Sequence, residues 1–78
     1  MKVIEVRLPP GEKMGMHTHP PYVIYSLSSA RLRFTFPDGR SEEVQVEQGR
    51  ANYSDGITHT VENIGSTAML SIDIELKK

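Results

Sequence analysis

The chain has 78 residues, no cysteine, a formal net charge of -1 and 24% charged residues. These values are ordinary for one globular domain, and we expect a single domain over residues 1–78. The chain lacks both the roughly 20-residue apolar stretch that spans a bilayer and any long run of basic residues, so we expect no membrane and no nucleic acid among its partners.

Apolar and polar residues alternate with a period of two along most of the chain, which predicts β-strands and no helix. The strands predicted in the first half are Lys2–Leu8, Lys13–His19, Tyr22–Ser28 and Ala30–Phe36. The first two strands are each followed by prolines, which lack the N–H that a strand ladder needs. The chain is therefore expected to turn at Pro9-Pro10-Gly11 and again at Pro20-Pro21.

The clearest unit in the sequence is a β-hairpin. Leu32, Phe34 and Phe36 alternate with polar residues on its first strand, and the second strand is predicted over Ser41–Glu47. The turn between them contains Asp38-Gly39, where glycine tolerates the positive φ that such turns require.

Short strands separated by glycine-containing turns continue through the second half. They are predicted at Ala51–Ser54, Thr58–Ile64 and Thr67–Leu76. In the last strand we expect an apolar set to face the interior (Ala68, Leu70, Ile72, Ile74 and Leu76) and a polar set to face solvent (Ser71, Asp73 and Glu75). About eight short strands with frequent turns predict an all-β sandwich or small antiparallel β-barrel.

All three histidines of the chain fall into one possible cluster. His17 and His19 are two residues apart on a predicted strand, so both rings should point to the same face, with Met14 and Met16 on the opposite face. If the strand that carries His59 lies beside them, the three imidazoles converge, and imidazole is a ligand suited to Zn, Fe, Ni or Cu. The alternative is three unrelated surface or core histidines.

Two segments resemble the paired motifs of the cupin superfamily. In segment 11–19 a glycine is followed, after five residues, by His-x-His, as in the first cupin motif. Segment 49–63 is similar to the second motif, although Ser54 stands where proline is usual and the spacing after the first glycine is one residue short. The residues in register with the second motif are Gly56, His59 and Asn63.

The resemblance implies a cupin jelly roll, or double-stranded β-helix, with one divalent metal ion on His17, His19 and His59. Cupins commonly carry a glutamate shortly after His-x-His, and the counterpart here is Val23 or Ile24. The site therefore resembles the three-histidine centres of β-diketone-cleaving dioxygenases and some thiol dioxygenases, which hold iron. Iron is the favoured metal, and Ni, Zn, Cu and Mn are alternatives.

Three neutral imidazoles would leave the full +2 charge on the metal and favour a small bidentate oxygen ligand, such as a β-diketone or an organic acid. One hypothesis is thus a non-haem iron dioxygenase. A second is a non-catalytic, metal-dependent small-molecule binding or sensor protein, and a third is a barrel used only for association. The residues expected to line a substrate pocket are Tyr22, Ile24, Phe34 and Tyr53.

Size and termini suggest two further expectations. The N-terminus alternates and carries charges, unlike a signal peptide, so with the lack of cysteine it predicts a cytoplasmic protein. A chain of 78 residues buries only about 60% of its unfolded surface, so we expect a homodimer, in addition to the metal, to stabilise it.

Overall fold

The computed structural model describes residues 1–76, which form eight β-strands. In chain order they are β1 (Lys2–Leu8), β2 (Lys13–His19), β3 (Tyr22–Ser26), β4 (Ala30–Thr35), β5 (Ser41–Val46), β6 (Ala51–Ser54), β7 (Ile57–Asn63) and β8 (Met69–Glu75). Every strand lies where the alternation predicts it, and the ends differ by at most two residues. Over the described residues, no helix has the length and apolar character needed to cross a membrane.

The strands form two four-stranded antiparallel sheets with the orders β1-β8-β3-β6 and β2-β7-β4-β5. Most neighbours in each sheet are distant in sequence, so the chain passes back and forth between the sheets. This order is that of a jelly roll, and the predicted all-β fold class is confirmed.

The β4–β5 hairpin forms as predicted. Its strands pair in continuous register from Ala30 and Val46 to Thr35 and Ser41. Gly39 adopts a φ of 89° in the turn. Such a positive φ is strained for a residue with a Cβ, which explains the glycine.

A β-bulge in β2 changes which residues face the interior. Met14 lies opposite Val61 and His17 lies opposite His59, so three steps along β2 match two steps along β7. The extra residue puts Met14 on the same face as His17. The prediction that Met14 faces away from the histidines is therefore wrong, whereas Met16 is exposed on the outside.

The direction predicted for the side chains of β8 is also wrong. The polar set Ser71, Asp73 and Glu75 faces the interior, and Leu70, Ile72 and Ile74 face outward. Ala68 and Leu76 lie beyond the ends of the strand. Alternation gives the period of a strand but not its phase, and the phase is set here by pairing with β1 and β3.

The apolar core fills one end of the space between the sheets. Its buried members are Leu8, Ala30, Leu32, Val61 and Met69. At the same end the fully buried Asn63 donates from Nδ2 to the carbonyl oxygens of Leu8 and Thr67, at 2.9 and 2.8 Å. The three histidines lie farther along the space between the sheets, where it opens into a cavity that Leu32, Val61 and Met69 of the core also line.

Candidate metal centre

The three histidines come from two neighbouring strands of one sheet. His17 and His19 lie on β2 after the bulge, and His59 is the direct pairing partner of His17 on β7. One ring nitrogen from each histidine can be chosen so that all three atoms lie within 4.8 Å of one another. The predicted convergence of the rings is thus present in the structure.

Two of the rings are oriented by hydrogen bonds at Nδ1. His17 Nδ1 lies 2.7 Å from the carbonyl oxygen of Gly15, inside the bulge, and His19 Nδ1 lies 3.1 Å from Glu75 Oε2. A carbonyl or carboxylate partner requires Nδ1–H to donate, which leaves the lone pair on Nε2. Metal-binding histidines are oriented in this way by their second nitrogen.

His59 is the most buried of the three, with 2% of its surface exposed. Both of its ring nitrogens, and Nε2 of His17, are buried without a hydrogen-bond partner. Burial, and next the proximity of His17 and His19, lower the pKa of His59 from 6.5 to about 4, so the ring is neutral at neutral pH. Buried nitrogens without partners cost stability in the metal-free protein.

These three side chains fit a divalent transition metal. They offer imidazole nitrogens that converge, and Nε2 of His17 and both ring nitrogens of His59 are buried without hydrogen-bond partners. No carboxylate of the described residues joins the cluster. The cluster could therefore hold one metal ion on three nitrogens.

Aromatic rings pack against two of the histidines. Tyr22 stacks on His19 with ring centroids 4.3 Å apart and an interplanar angle of 12°, and Phe34 lies 4.8 Å from His59. Tyr22 is itself buried, and burial followed by the charges of Asp73 and Glu75 raises the pKa of its hydroxyl to about 12. The phenol therefore stays protonated.

A cavity of about 440 Å³ lies beside the histidines, within the usual range for small-molecule sites. Three of the four predicted pocket residues, Tyr22, Ile24 and Phe34, line it. Tyr53 does not: it pairs with Val23 on the outer face of its sheet and is 60% exposed. The expectation for Tyr53 is wrong because short strand β6 presents its other face to the interior.

A solved cupin domain from Bordetella pertussis Tohama I is similar to nearly the whole chain. The two are 32% identical, and the match covers 97% of this chain and 80% of that chain with a TM-score of 0.87. The chain belongs to the cupin superfamily. A scan against protein-family models and a search of curated proteins gave no match.

Two further structures are similar to this cupin at lower identity. One, from Thermotoga maritima, is described as a predicted oxalate decarboxylase; it is 26% identical over 95% of this chain and 65% of that chain, with a TM-score of 0.59. The other is the CENP-C cupin domain of Drosophila melanogaster, 13% identical over 95% of this chain and 59% of that chain, with a TM-score of 0.65. The second likeness concerns the fold alone.

Sequence reasoning missed two acidic residues of this cupin site. Glu75 bonds to His19, and Asp73, only 7% exposed, lines the cavity. Asp73 lies between Ile4 and Ile24 in the sheet, next to one of the two positions where other cupins commonly carry the motif glutamate. A signal existed in the alternation of polar residues on β8, but it did not reveal which set faced inward.

Replacing Asp73 with asparagine should stabilise the metal-free cupin at neutral pH. Burial raises the pKa of the Asp73 carboxyl, and the Ser71 hydroxyl, which donates to it at 3.1 Å, opposes that rise only in part. A raised folded-state pKa adds stability at low pH that is lost as the pH rises, so ionised Asp73 destabilises the fold at pH 7. We expect a gain of about 0.5–2 kcal/mol, measured by thermal unfolding at pH 7, that disappears in acid.

The matched control is Asp55→Asn, because Asp55 is an exposed carboxylate in the β6–β7 turn. It should leave the unfolding midpoint nearly unchanged. A clear loss of stability in Asp73→Asn at pH 7 would contradict the account, since it would mean that the carboxylate makes favourable contacts.

Proposed function

We propose that this cupin holds one divalent metal ion, with iron favoured, on His17, His19 and His59, and binds a small bidentate oxygen ligand there. The observation that supports this most directly is the convergence of ring nitrogens from the three histidines, of which those of His59 and Nε2 of His17 are buried without hydrogen-bond partners. Iron in such a centre supplies Lewis acidity and redox chemistry toward O₂. The reaction class proposed is therefore that of a non-haem iron dioxygenase acting on a β-diketone or an organic acid.

The charge of the site supports an anionic ligand. Three neutral imidazoles do not reduce the +2 charge of a bound ion, and no carboxylate of the described residues joins the three-histidine cluster. The walls are largely apolar, and in such a medium the attraction of the ion for an anion is stronger than in water. Two oxygens from one molecule bind without the entropy cost of ordering two separate ligands.

The size of the cavity favours a small ligand. A volume of about 440 Å³ lies toward the lower end of the range for small-molecule sites. The likeness to a structure described as a predicted oxalate decarboxylase agrees with an organic acid, because oxalate presents two carboxylate oxygens on one side.

A second candidate is metal-dependent binding without turnover. The connections nearest the histidines are very short: Pro20-Pro21 joins β2 to β3, and Asp55-Gly56 joins β6 to β7. Enzymes that exclude water often close a loop over the substrate, and two-residue connections are too short for that. This observation favours a carrier or sensor whose ligand exchanges freely.

The two candidates are separated by one series of measurements on the iron(II)-loaded protein. We expect pentane-2,4-dione or a dicarboxylate such as oxalate or malonate to bind at least about tenfold more tightly than acetate, a difference of about 1.4 kcal/mol, measured by anaerobic calorimetry. Oxygen is then admitted, and its uptake and the fate of the ligand are followed. Uptake with ligand cleavage supports the dioxygenase, and tight binding without uptake supports the carrier or sensor.

The control is acetate with the same protein, and the zinc(II)-loaded protein serves as a redox-inactive reference. Equal binding of acetate and the bidentate ligands would contradict the proposed ligand class. An absence of binding across the whole panel, with iron confirmed in the protein, would overturn the proposed function.

A further inference from the structure

The inner face of the sheet β1-β8-β3-β6 carries a buried polar patch that is separate from the three histidines. Its members are Ser26, Ser71 and Asp73, which are 2%, 3% and 7% exposed, and all three line the cavity. Ser26 on β3 is the direct pairing partner of Ser71 on β8, and Asp73 lies two residues farther along β8 on the same face. We call these three residues the serine–aspartate patch.

The facing sheet presents a different surface to the cavity. Its lining residues are the three histidines and mainly aliphatic or aromatic side chains, such as Leu32, Phe34 and Val61. A molecule in the cavity therefore has the metal-binding nitrogens on one sheet and the serine–aspartate patch on the other. Two separate polar surfaces in a largely apolar cavity fix the orientation of a small ligand as well as its position.

One oxygen of the Asp73 carboxylate has no partner in the protein. Ser71 Oγ donates to Oδ1 at 3.1 Å, and no other group of residues 1–76 donates to this carboxylate. In the part of the chain that the structure describes, no lysine or arginine lines the cavity, so no such side chain balances the charge there. An ionised carboxylate is an acceptor only. Oδ2 is thus placed to accept a hydrogen bond from a molecule in the cavity.

The Asp73 carboxylate does not serve the stability of the fold. Burial raises the pKa of its carboxyl, and the hydrogen bond from Ser71 opposes that rise only in part. The ionised form therefore destabilises the folded chain at neutral pH. Buried ionisable groups that cost stability are concentrated at binding and catalytic sites, which indicates a ligand as the partner of this one.

We propose that Asp73 accepts a hydrogen bond from the ligand, so that the cavity selects organic acids that carry a hydroxyl or ammonium group in addition to the oxygens that bind the metal. This inference rests on the proposed function, because it places the metal-binding end of the ligand at the histidines. A donor gains a charge-assisted hydrogen bond from the carboxylate, which is about twice as strong as a neutral one. A second anionic group at the same point would be repelled.

The experiment compares organic acids that differ by one substituent, by calorimetry on the zinc(II)-loaded protein. The series are malonate with hydroxymalonate, and succinate with malate and aspartate. In at least one series we expect the substituted acid to bind at least about tenfold more tightly than its parent, a difference of about 1.4 kcal/mol. Tighter binding of aspartate than of malate would assign the donor to an amine, and the reverse order would assign it to an alcohol.

Variants of Asp73 separate this contact from chelation, because a hydroxyl beside a carboxylate can itself bind the metal. In Asp73→Val the substituted acid and its parent should bind within about twofold of each other, and Asp73→Asn should be intermediate, because its amide accepts without a charge. Affinity for the parent acid should be kept or increased, since the repulsive charge is gone. The matched control is Asp55→Asn, which removes an exposed carboxylate outside the cavity and should keep the wild-type preference.

The possible failures are distinguishable. Equal binding of parent and substituted acids to the wild type overturns the inference and leaves the proposed function intact, and so does a preference that persists in Asp73→Val. If no acid of the panel binds to protein with zinc(II) confirmed in it, the proposed function fails and the inference fails with it. Thermal unfolding and zinc(II) affinity check the fold and the metal site of each variant, and the near-isosteric Asp73→Asn carries the test if Asp73→Val does not fold.

Discussion

Replacing His59 with leucine should weaken metal binding at least about 100-fold while making the metal-free protein more stable. Loss of a residue that only orients a ligand costs about 10–100-fold in metal affinity, and loss of a direct ligand should cost more. The stabilisation follows because both ring nitrogens of His59 are buried without partners, and leucine removes them. A gain of about 1–2 kcal/mol is expected.

A loss of metal affinity together with a gain in the stability of the metal-free protein distinguishes a metal ligand from a structural histidine. A histidine that serves packing or hydrogen bonding would destabilise the metal-free protein when replaced. In the wild type, His59 has a pKa of about 4 when folded and 6.5 as its ordinary value, so stability should fall as the pH drops from 6.5 toward 4. The leucine variant should lack that loss.

Zinc(II) affinity by competition with a chromophoric chelator, and thermal unfolding with and without metal, measure both effects. Thr60→Val is a matched control, because Thr60 is the next residue on β7 and its hydroxyl is also buried without a partner. It should stabilise the metal-free protein without changing metal affinity. If the His59→Leu protein bound zinc(II) as tightly as the wild type, His59 would not be a ligand of the metal.

The strand pattern of this cupin could be predicted from sequence because short strands alternate and glycine or proline marks their ends. The β4–β5 hairpin illustrates this, since Asp38-Gly39 specifies the turn locally. Its register follows from the turn, without information from the rest of the chain. The order of the strands in the sheets came only from the resemblance, because pairing between distant strands leaves no local signal.

For two strands, the sequence did not reveal which set of side chains faces the interior. In β2 one extra residue places Met14 and His17 on the same side, and a bulge of this kind has no clear sequence signature. In β8 both sets of side chains alternate equally well, and the apolar set was assigned to the interior by the usual rule. That rule fails here because Asp73 faces a cavity, whereas Ile72 and Ile74 point to the opposite side of the sheet.

The candidate centre was predictable in its ligands but not in the groups that orient them. His17 and His19 can be recognised by their spacing on one strand. They converge with His59 if the strand that carries His59 lies beside theirs, as β7 does beside β2. Glu75 reaches His19 from the opposite sheet, 56 residues away in sequence. Such a contact depends on the packing of the two sheets, which alternation within a strand does not describe.

Asn63→Ala should be among the most destabilising single substitutions in this chain. The side chain is fully buried, donates to the carbonyl oxygens of Leu8 and Thr67, and accepts from the N–H of Gly65 at 3.0 Å. Alanine leaves three backbone groups without partners, at about 1–3 kcal/mol for each one that stays buried. We expect a loss of about 3–4 kcal/mol, seen as a fall of more than about 12 °C in the unfolding midpoint.

The near-isosteric Asn63→Asp variant tests whether the donated hydrogen bonds are responsible. A carboxylate has no N–H, so it would face two carbonyl oxygens, and only its protonated form restores one donor. The folded-state pKa of the new carboxyl should rise, so the stability of this variant should improve as the pH is lowered and be lost as the pH rises.

Asn52→Ala, at an exposed position on β6, is the control and should change the midpoint little. If Asn63→Ala behaved like that control, the asparagine would not join the ends of β1, β7 and β8 as its contacts indicate. If the folded fraction of Asn63→Ala keeps wild-type zinc affinity, the core end and the metal end of this cupin are energetically separate.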